Sequence, residues 1–523
     1  MSAPPPEANR PSAIRRFLRG DYSLAISYCA VGLMVYLAIG LLLAGVSFTM
    51  HRQPFNPYGV MAVEVAIWSA IIAGQVFQSL GVWRSAVRHR RLAAASGMIG
   101  LWGVAAQALV VLGGAALAYA FVTLGMPQLS EGWRMAFEGD PDIPPYAIRL
   151  MRGGREAEIT GGFKFGLARD AARVFVHAPA LEVVHLNSGG GRLGEAIELA
   201  KLIRARGLAT YTSASCSSAC TIAFVAGRER FLKSGARIGF HRAIFAGVER
   251  ADEMRELLTA ANVERSFVER AVAQPSLSIW YPTGQELAAA NVAMAEVDSY
   301  RFAASGLGPS PSLGDFRAAL RRLPTLAAVE TADPRTFDDS AELYQQRYFE
   351  GVPDGRIADE IHARKLMPLL RARLASAPDE LLIDYARLMA DQFEALGARD
   401  PNACFDYATK PGSAAAAALP VELRQRSEEL AGQILRTKTA RQTANPAELN
   451  AAVLALSQAM VAQYGADKVR LLVDPTKVGP EEHALFCKLS SAMFRTIAKL
   501  PPTQAGTQMS GIFSAMAQAT PPR

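Results

Sequence analysis

The sequence predicts an α/β core preceded by three membrane-crossing helices and followed by an all-α region. Three observations carry this. Between residues 181 and 241 strand and helix patterns alternate, with the apolar, β-branched composition of buried elements. Ahead of them lie three apolar runs, 24–48, 60–82 and 98–125, each long enough to cross a bilayer. Beyond residue 315 strand patterns are scarce, and alanine, leucine and charged residues recur at helical spacing. The predicted organisation is a tail (1–23), a membrane unit (24–126), a linker (127–145), an α/β domain (146–308) and a helical domain (315–523).

Taking the elements in order, residues 1–12 are Pro-rich and expected to be disordered. The runs 24–48 and 98–125 carry no charge, which argues against buried soluble helices, whereas 60–82 contains Glu64, Gln75 and Gln78, expected to pack against the other two helices, the alternative being a function inside the membrane. Arg10, Arg15, Arg16 and Arg19 precede the first run and Arg84, Arg88, Arg90 and Arg91 lie between the second and third, while the loop at 50–59 has only Arg52. The arginine-rich segments are therefore expected in the cytoplasm. Three crossings then place everything after residue 126 outside it, giving a multi-pass protein of a bacterial inner membrane with its large soluble region in the periplasm. The run at 24–48 is too long for a cleavable signal peptide, and two more follow it. Eight of the arginines behind the formal charge of +7 belong to the two topogenic segments, so the lipid bilayer, not nucleic acid, is the expected partner of this charge.

In the α/β segment, 181–186 reads as a buried strand ending at Asn187. Ser188, Gly189, Gly190 and Gly191 follow, and then apolar residues at helical spacing from Leu193 to Ile203. A glycine turn between strand and helix presents free N–H groups beside a positive helix end, a place for an anion. A second strand, 208–213, leads to the small residues Ser215, Cys216, Ser217 and Ser218, read as helix caps, and to a short apolar helix at 219–226. A serine at that helix start can attack a carbonyl while the N–H of Ala219 receives the developing oxyanion. A third strand, 236–240, ends at His241. Oxyanion site, nucleophile and base are the inventory for acyl transfer. Taken singly, the glycines are a turn, the serine a cap and the histidine an ordinary polar side chain. Their order carries the argument.

Over 146–297 the chain resembles the ClpP/crotonase superfamily, as found in the Clp protease proteolytic subunit and in membrane-bound signal-peptide peptidases. Residues 187–191 match the family's Asn-Ser-Pro-Gly-Gly, with Gly189 in place of the proline. Ser218 falls nine residues before Gly227, where the family has its nucleophile, and His241 falls 23 residues after Ser218, where it has its base. The resemblance implies a ClpP/crotonase-like fold with catalytic Ser218 and His241, an oxyanion site at Gly191 and Ala219, and a peptide or membrane-protein substrate; a homo-oligomer is compatible with it. It departs from the family at the acid. No Asp or Glu occurs in 270–285, and Ser278 or Ser276 takes the approximate position; Glu249, Asp252 and Glu253 are the other sources. A neutral hydroxyl can fix the imidazole's tautomer but cannot stabilise imidazolium as a carboxylate does.

Cys29 lies in the first apolar run, leaving four cysteines outside it. In an oxidising compartment Cys216 would pair with Cys220 around Ser218, and Cys404 with Cys487; the alternative is four buried free thiols. No histidine spacing offers a metal site, and no Gly-rich Lys-Ser/Thr loop offers a nucleotide site, so neither metal nor cofactor is expected. Pro309, Pro311 and Gly314 mark the domain boundary, after which 316–323, 358–374, 380–396, 420–440 and 446–464 read as amphipathic helices. The alanine run at 414–418 reads as a helix start or loop. The function expected is a membrane-anchored serine endopeptidase. The alternative is a catalytically weak or inactive scaffold that binds peptides or partner proteins. A crotonase-type acyl-CoA enzyme fits poorly with the Ser/His pair and a periplasmic location.

Overall fold

The computed structural model describes residues 12–50, 56–245, 248–249, 251–410, 414–438, 440–441 and 445–518; the Pro-rich start, Arg52 and the side chain of Glu249 lie outside them. The chain divides into two compact units. The first comprises Met1–Ile148, Ile159–Phe231 and Arg237–Ala295; the second Arg149–Glu158, Leu232–Ala236 and Glu296–Arg523.

Three helices of the first unit are long and apolar enough to cross a membrane: Ile26–Gly45, Pro57–Ala95 and Leu101–Phe137. Their apolar side chains are mostly exposed, as lipid-facing surfaces are, with Leu41 and Trp102 among the most open. The second and third are longer than the apolar runs suggest. At 1.5 Å per residue, the 39-residue Pro57–Ala95 helix extends about 58 Å, roughly twice the hydrocarbon thickness. The third helix likewise continues through Met126–Phe137, where the sequence suggested a linker. Pro127 lies inside this continuous helix, where it cannot donate to the preceding turn, and the π turn Phe121–Gly125 directly before it accommodates the ring.

The strands are β1 (Tyr146–Met151), β2 (Glu156–Gly161), β3 (Val183–Asn187), β4 (Ala209–Thr212), β5 (Ser215–Ser217), β6 (Arg230–Lys233), β7 (Arg237–Gly239), β8 (Ile244–Phe245), β9 (Val248–Glu249) and β10 (Ala295–Val297). Six form one sheet in the order β1-β2-β3-β4-β6-β10; β5 pairs with β7 and β8 with β9 in two small sheets. β3 and β4 run parallel with Val184 opposite Thr210, joined by the helix Leu193–Ala205, the crossover that a parallel pair requires. Val184, Leu186, Leu199, Ile203, Ile222, Phe224 and Phe240 are essentially inaccessible and form the core under this crossover.

Within the second unit helices dominate after residue 313. The helices expected at 316–323, 380–396, 420–440 and 446–464 are present as Leu313–Arg321, Asp379–Arg399, Val421–Arg436 and Pro446–Tyr464. The one expected at 358–374 is built from Asp354–Ile361, a π turn and Met367–Ala375. The alanine run Ala414–Ala418 forms a short 3-10 turn. Pro324–Ala332, Pro334–Phe349, His483–Ala498 and Pro502–Gln518 add to them, around a core that includes Phe316, Tyr348, Leu382, Ile434 and Leu489. Cys404 and Cys487 sit at disulfide distance, with sulfurs 2.05 Å apart, and tie Pro401–Thr409 to His483–Ala498.

Candidate active site

Ser218 is positioned by β5 and β7. These run parallel with Ser215 opposite Arg237, Cys216 opposite Ile238 and Ser217 opposite Gly239. The sequence reading took 215–218 as caps; the structure makes the first three a strand, because Arg237–Gly239 and Ser188 supply backbone partners that a short serine-rich segment lacks by itself. Ser217 N–H donates to the Ser188 carbonyl at 2.9 Å and Ser218 N–H to the Gly239 carbonyl at 2.9 Å. The chain then turns sharply. Ser218 has φ 57°, the left-handed region that a residue with a Cβ seldom enters, and the helix Cys220–Phe224 begins after Ala219. Its side chain is half-buried. Cys216 and Cys220, both inaccessible, lie at disulfide distance on either side of it, with Cα atoms 5.4 Å apart.

The glycine loop packs directly on this turn. Gly190 has φ 100°, and a Cβ there would lie 2.6 Å from the Ser218 Cβ and 3.0 Å from the Ala219 nitrogen, so only glycine fits. Gly191, φ 145°, lies as closely against Phe163, where a Cβ would come 2.5 Å from the carbonyl oxygen. Phe163 fastens the loop on both sides: its N–H donates to the Gly190 carbonyl at 2.8 Å and its carbonyl accepts from Arg192 N–H at 2.7 Å. Gly190 N–H is taken by Ser188 Oγ at 3.0 Å. Among the described residues the amides of Gly191 and Ala219 donate to no acceptor. One of these N–H groups adjoins Ser218 in the chain and the other is one residue beyond the glycine packed on it, which makes both candidate donors to a carbonyl oxygen acquiring charge.

Asn187, which opens the glycine motif but takes no role of its own from the sequence, holds the same region. Its Oδ1 accepts from Ser213 N at 3.0 Å, Ala214 N at 3.0 Å and Ser213 Oγ at 3.1 Å, which closes the turn between β4 and β5. An asparagine at a strand end, one residue ahead of a glycine run, was the available signal. Gly239, two residues before His241, likewise takes no role of its own from the sequence; a Cβ there would lie 2.6 Å from both Ile279 and Tyr281 and 2.7 Å from Ser217 Oγ.

His241 follows Phe240, which exchanges backbone hydrogen bonds of 2.8 Å with Trp280. Ser218 and His241 thus leave the carboxyl ends of paired strands. No hydrogen bond joins their side chains among the described residues, and His241 Nδ1 is buried without a partner there. Burial pushes the imidazole below its ordinary value, opposed by the nearby main chain of Arg242 and Ser276, which favours the protonated form. Of the third-member candidates, Ser278 is exposed, with its N–H donating to the Pro275 carbonyl at 3.1 Å; the segment beside the ring is 274–276, where Arg242 N–H meets the Gln274 carbonyl at 3.0 Å. Asp252 and Glu253 are exposed on the helix Ala251–Ala260, and Asp252 pairs with Arg255.

No protein-family model and no curated protein matches this sequence. Among solved structures the chain is similar to a point variant of ClpP1 from Listeria monocytogenes, at 13% identity over 28% of this chain and 92% of that one, TM-score 0.24. It is also similar to a point variant of 1510-N, a membrane-bound stomatin-specific protease, at 15% identity over 27% of this chain and 77% of that one, TM-score 0.23. A third similar structure is an enoyl-CoA hydratase from Mycobacterium avium subsp. paratuberculosis K-10, at 14% identity over 39% of this chain and 83% of that one, TM-score 0.23.

Proposed function

We propose that this chain is a membrane-anchored, ClpP-like serine peptidase that cleaves peptides or membrane-protein segments on the periplasmic side of a bacterial inner membrane. The observation that supports it best is the Ser218 turn: a non-glycine residue at φ 57°, pressed by Gly190, with the neighbouring Gly191 and Ala219 amides donating to no acceptor among the described residues. Such strain costs of order 1–3 kcal/mol and persists where surrounding structure imposes it. In this reading Ser218 Oγ attacks the scissile carbonyl as His241 takes its proton, and the Gly191 and Ala219 amides hold the oxyanion. His241 then protonates the leaving amine, and a water molecule, deprotonated by the same ring, releases the acyl group. Attack requires the two side chains to rotate into hydrogen-bond reach. Labelling of the full-length protein by a fluorophosphonate probe tests this: wild type reacts, while Ser218→Ala and His241→Ala do not. An unlabelled wild type, or labelling retained in Ser218→Ala, would sink it.

One observation favours a second reading, a scaffold that binds peptides or partners without cleaving them. His241 Nδ1 faces no carboxylate among the described residues. A scaffold would keep its cellular role as Ser218→Ala and lose it when 315–523 are deleted.

A further inference from the structure

The residue after the oxyanion loop is a cation, and it is tied to the membrane unit. Arg192 grips Asp140 with two bonds, Nε to Oδ2 at 2.8 Å and Nη2 to Oδ1 at 2.7 Å, and its Nη1 pairs with Glu131. Its side chain is only 17% exposed and that of Asp140 only 2%. Glu131 belongs to Met126–Phe137, the last stretch of the third apolar helix. Asp140 lies just beyond it, where Gly139 (φ 68°) and Asp140 (φ 58°) turn the chain in left-handed conformations and Asp140 N–H closes on the Arg134 carbonyl at 2.9 Å.

The connection has a second strand of contact. After Asp140 the chain passes along Gly162, where a Cβ would meet the Ile143 side chain and lie 2.8 Å from the Pro144 carbonyl oxygen. The next residue is Phe163, which fastens Gly190 and Arg192. The end of the helix therefore reaches the oxyanion loop by two routes, through the Arg192 ion pairs and through Phe163. A surface ion pair would couple little, but a bidentate, largely buried one transmits a displacement because breaking it strands a charge.

We propose that Arg192 is a positioning residue that holds the Gly190–Gly191 loop against the end of the third apolar helix, so that the membrane anchor sets the oxyanion geometry at Ser218. Its catalytic consequence rests on the peptidase reading; its structural part does not. The experiment is accordingly double. Hydrogen exchange of the full-length protein in detergent is followed over 186–194, and fluorophosphonate labelling of Ser218 is timed on the same samples. Arg192→Gln should exchange about tenfold faster across the loop than wild type. Arg192→Lys, which keeps the charge but not the fork, should fall between them. Glu131→Gln, altered only on the helix side, should raise exchange in the same segment. Labelling should slow by about 10- to 100-fold in Arg192→Gln, through the chemical step and not through probe affinity. Unchanged loop exchange in Arg192→Gln, or faster exchange there with none in Glu131→Gln, overturns the coupling whether or not the serine reacts. Where Arg192→Gln fails to fold, Glu131→Gln and Arg192→Lys decide the same question. Accelerated exchange with wild-type labelling overturns the catalytic part alone, and a wild type that never labels condemns the peptidase reading while exchange still tests the clamp.

Discussion

Gly190 and Ser218 touch. A Cβ at residue 190 would lie 2.6 Å from that of Ser218, closer than such atoms ever stand, whereas nothing lies within 4 Å of the same position on Gly189. Two adjacent glycines of one loop therefore have different reasons to be glycine. Gly190→Ala is expected to cost of order 1–3 kcal/mol in stability from its positive φ and the clash, and to abolish most labelling at Ser218. Gly189→Ala is expected to change either by little. A thermal melt and labelling of both variants check the contrast, and equal effects would show that Gly190 does not shape the serine turn.

The histidine gives a prediction in pH. Burial lowers the His241 pKa below the ordinary 6.5, so the neutral base persists to lower pH, and the acid limb of the labelling rate should have its midpoint below that value. The sign also holds for stability. Between the folded and unfolded values the unfolded chain binds the extra proton, so the contribution of this group is full above the unfolded value and declines as pH falls toward the folded one. A limb centred above 6.5 would mean that His241 is not the titrating base.

The places of the glycine turn, Ser218 and His241 could be read because the glycines end a patterned strand, Ser218 precedes a short apolar helix and His241 follows another patterned strand. The pairing of Ser215–Ser217 with Arg237–Gly239 was not, since three small residues have no pattern of their own and become a strand only when a distant segment supplies hydrogen bonds. Nor was the clamp at Arg192. Asp140 and Glu131 precede it by 52 and 61 residues, and an isolated arginine beside a glycine run reads as solvated charge. The third helix was read short because its last turns, from Met126, become polar while remaining helical. Apolar runs report what lipid covers, not where the backbone stops.

The sulfurs should respond as two buried pairs. Cys216, Cys220, Cys404 and Cys487 are inaccessible and at bonding distance within each pair, leaving Cys29 as the exposed free thiol among the described residues. Thiol titration of protein unfolded without reductant should find one reactive cysteine. Reduction should lower thermal stability, by about 2–4 kcal/mol for the bridge that closes the longer loop. Titration of Cys404 and Cys487 as free thiols in protein prepared without reductant would remove that bridge from the account.

Topology can be tested at positions the helices now define. The arginine asymmetry predicts that the turn after Pro57–Ala95 is cytoplasmic and that the chain beyond Leu101–Phe137 is not. A reporter active only outside the cytoplasm should be silent when fused at Ser96 and active when fused after Glu138. The reverse pattern would invert the orientation and place Ser218 in the cytoplasm.

The missing acid provides the last test. If His241 lacks only a carboxylate, supplying one beside the ring should stabilise imidazolium, raise its pKa and speed attack at Ser218. The main chain of Ser276 lies beside the ring, while Ser278 is exposed and makes no hydrogen bond to it among the described residues. Ser276→Asp is thus expected to raise the labelling rate about tenfold above the acid limb and to move that limb to higher pH. Ser278→Asp is expected to leave both unchanged. The two measurements separate cause from coincidence, because a faster rate without a shifted limb would mean a repacked loop, and a shifted limb without a faster rate would mean that imidazolium stability does not limit attack. Should Ser278→Asp act and Ser276→Asp not, the acid position is Ser278 and the neighbourhood of His241 differs in the reacting state. Were neither to act, the orienting group comes from elsewhere, and Glu249, whose side chain lies outside the described residues, becomes the next substitution to make.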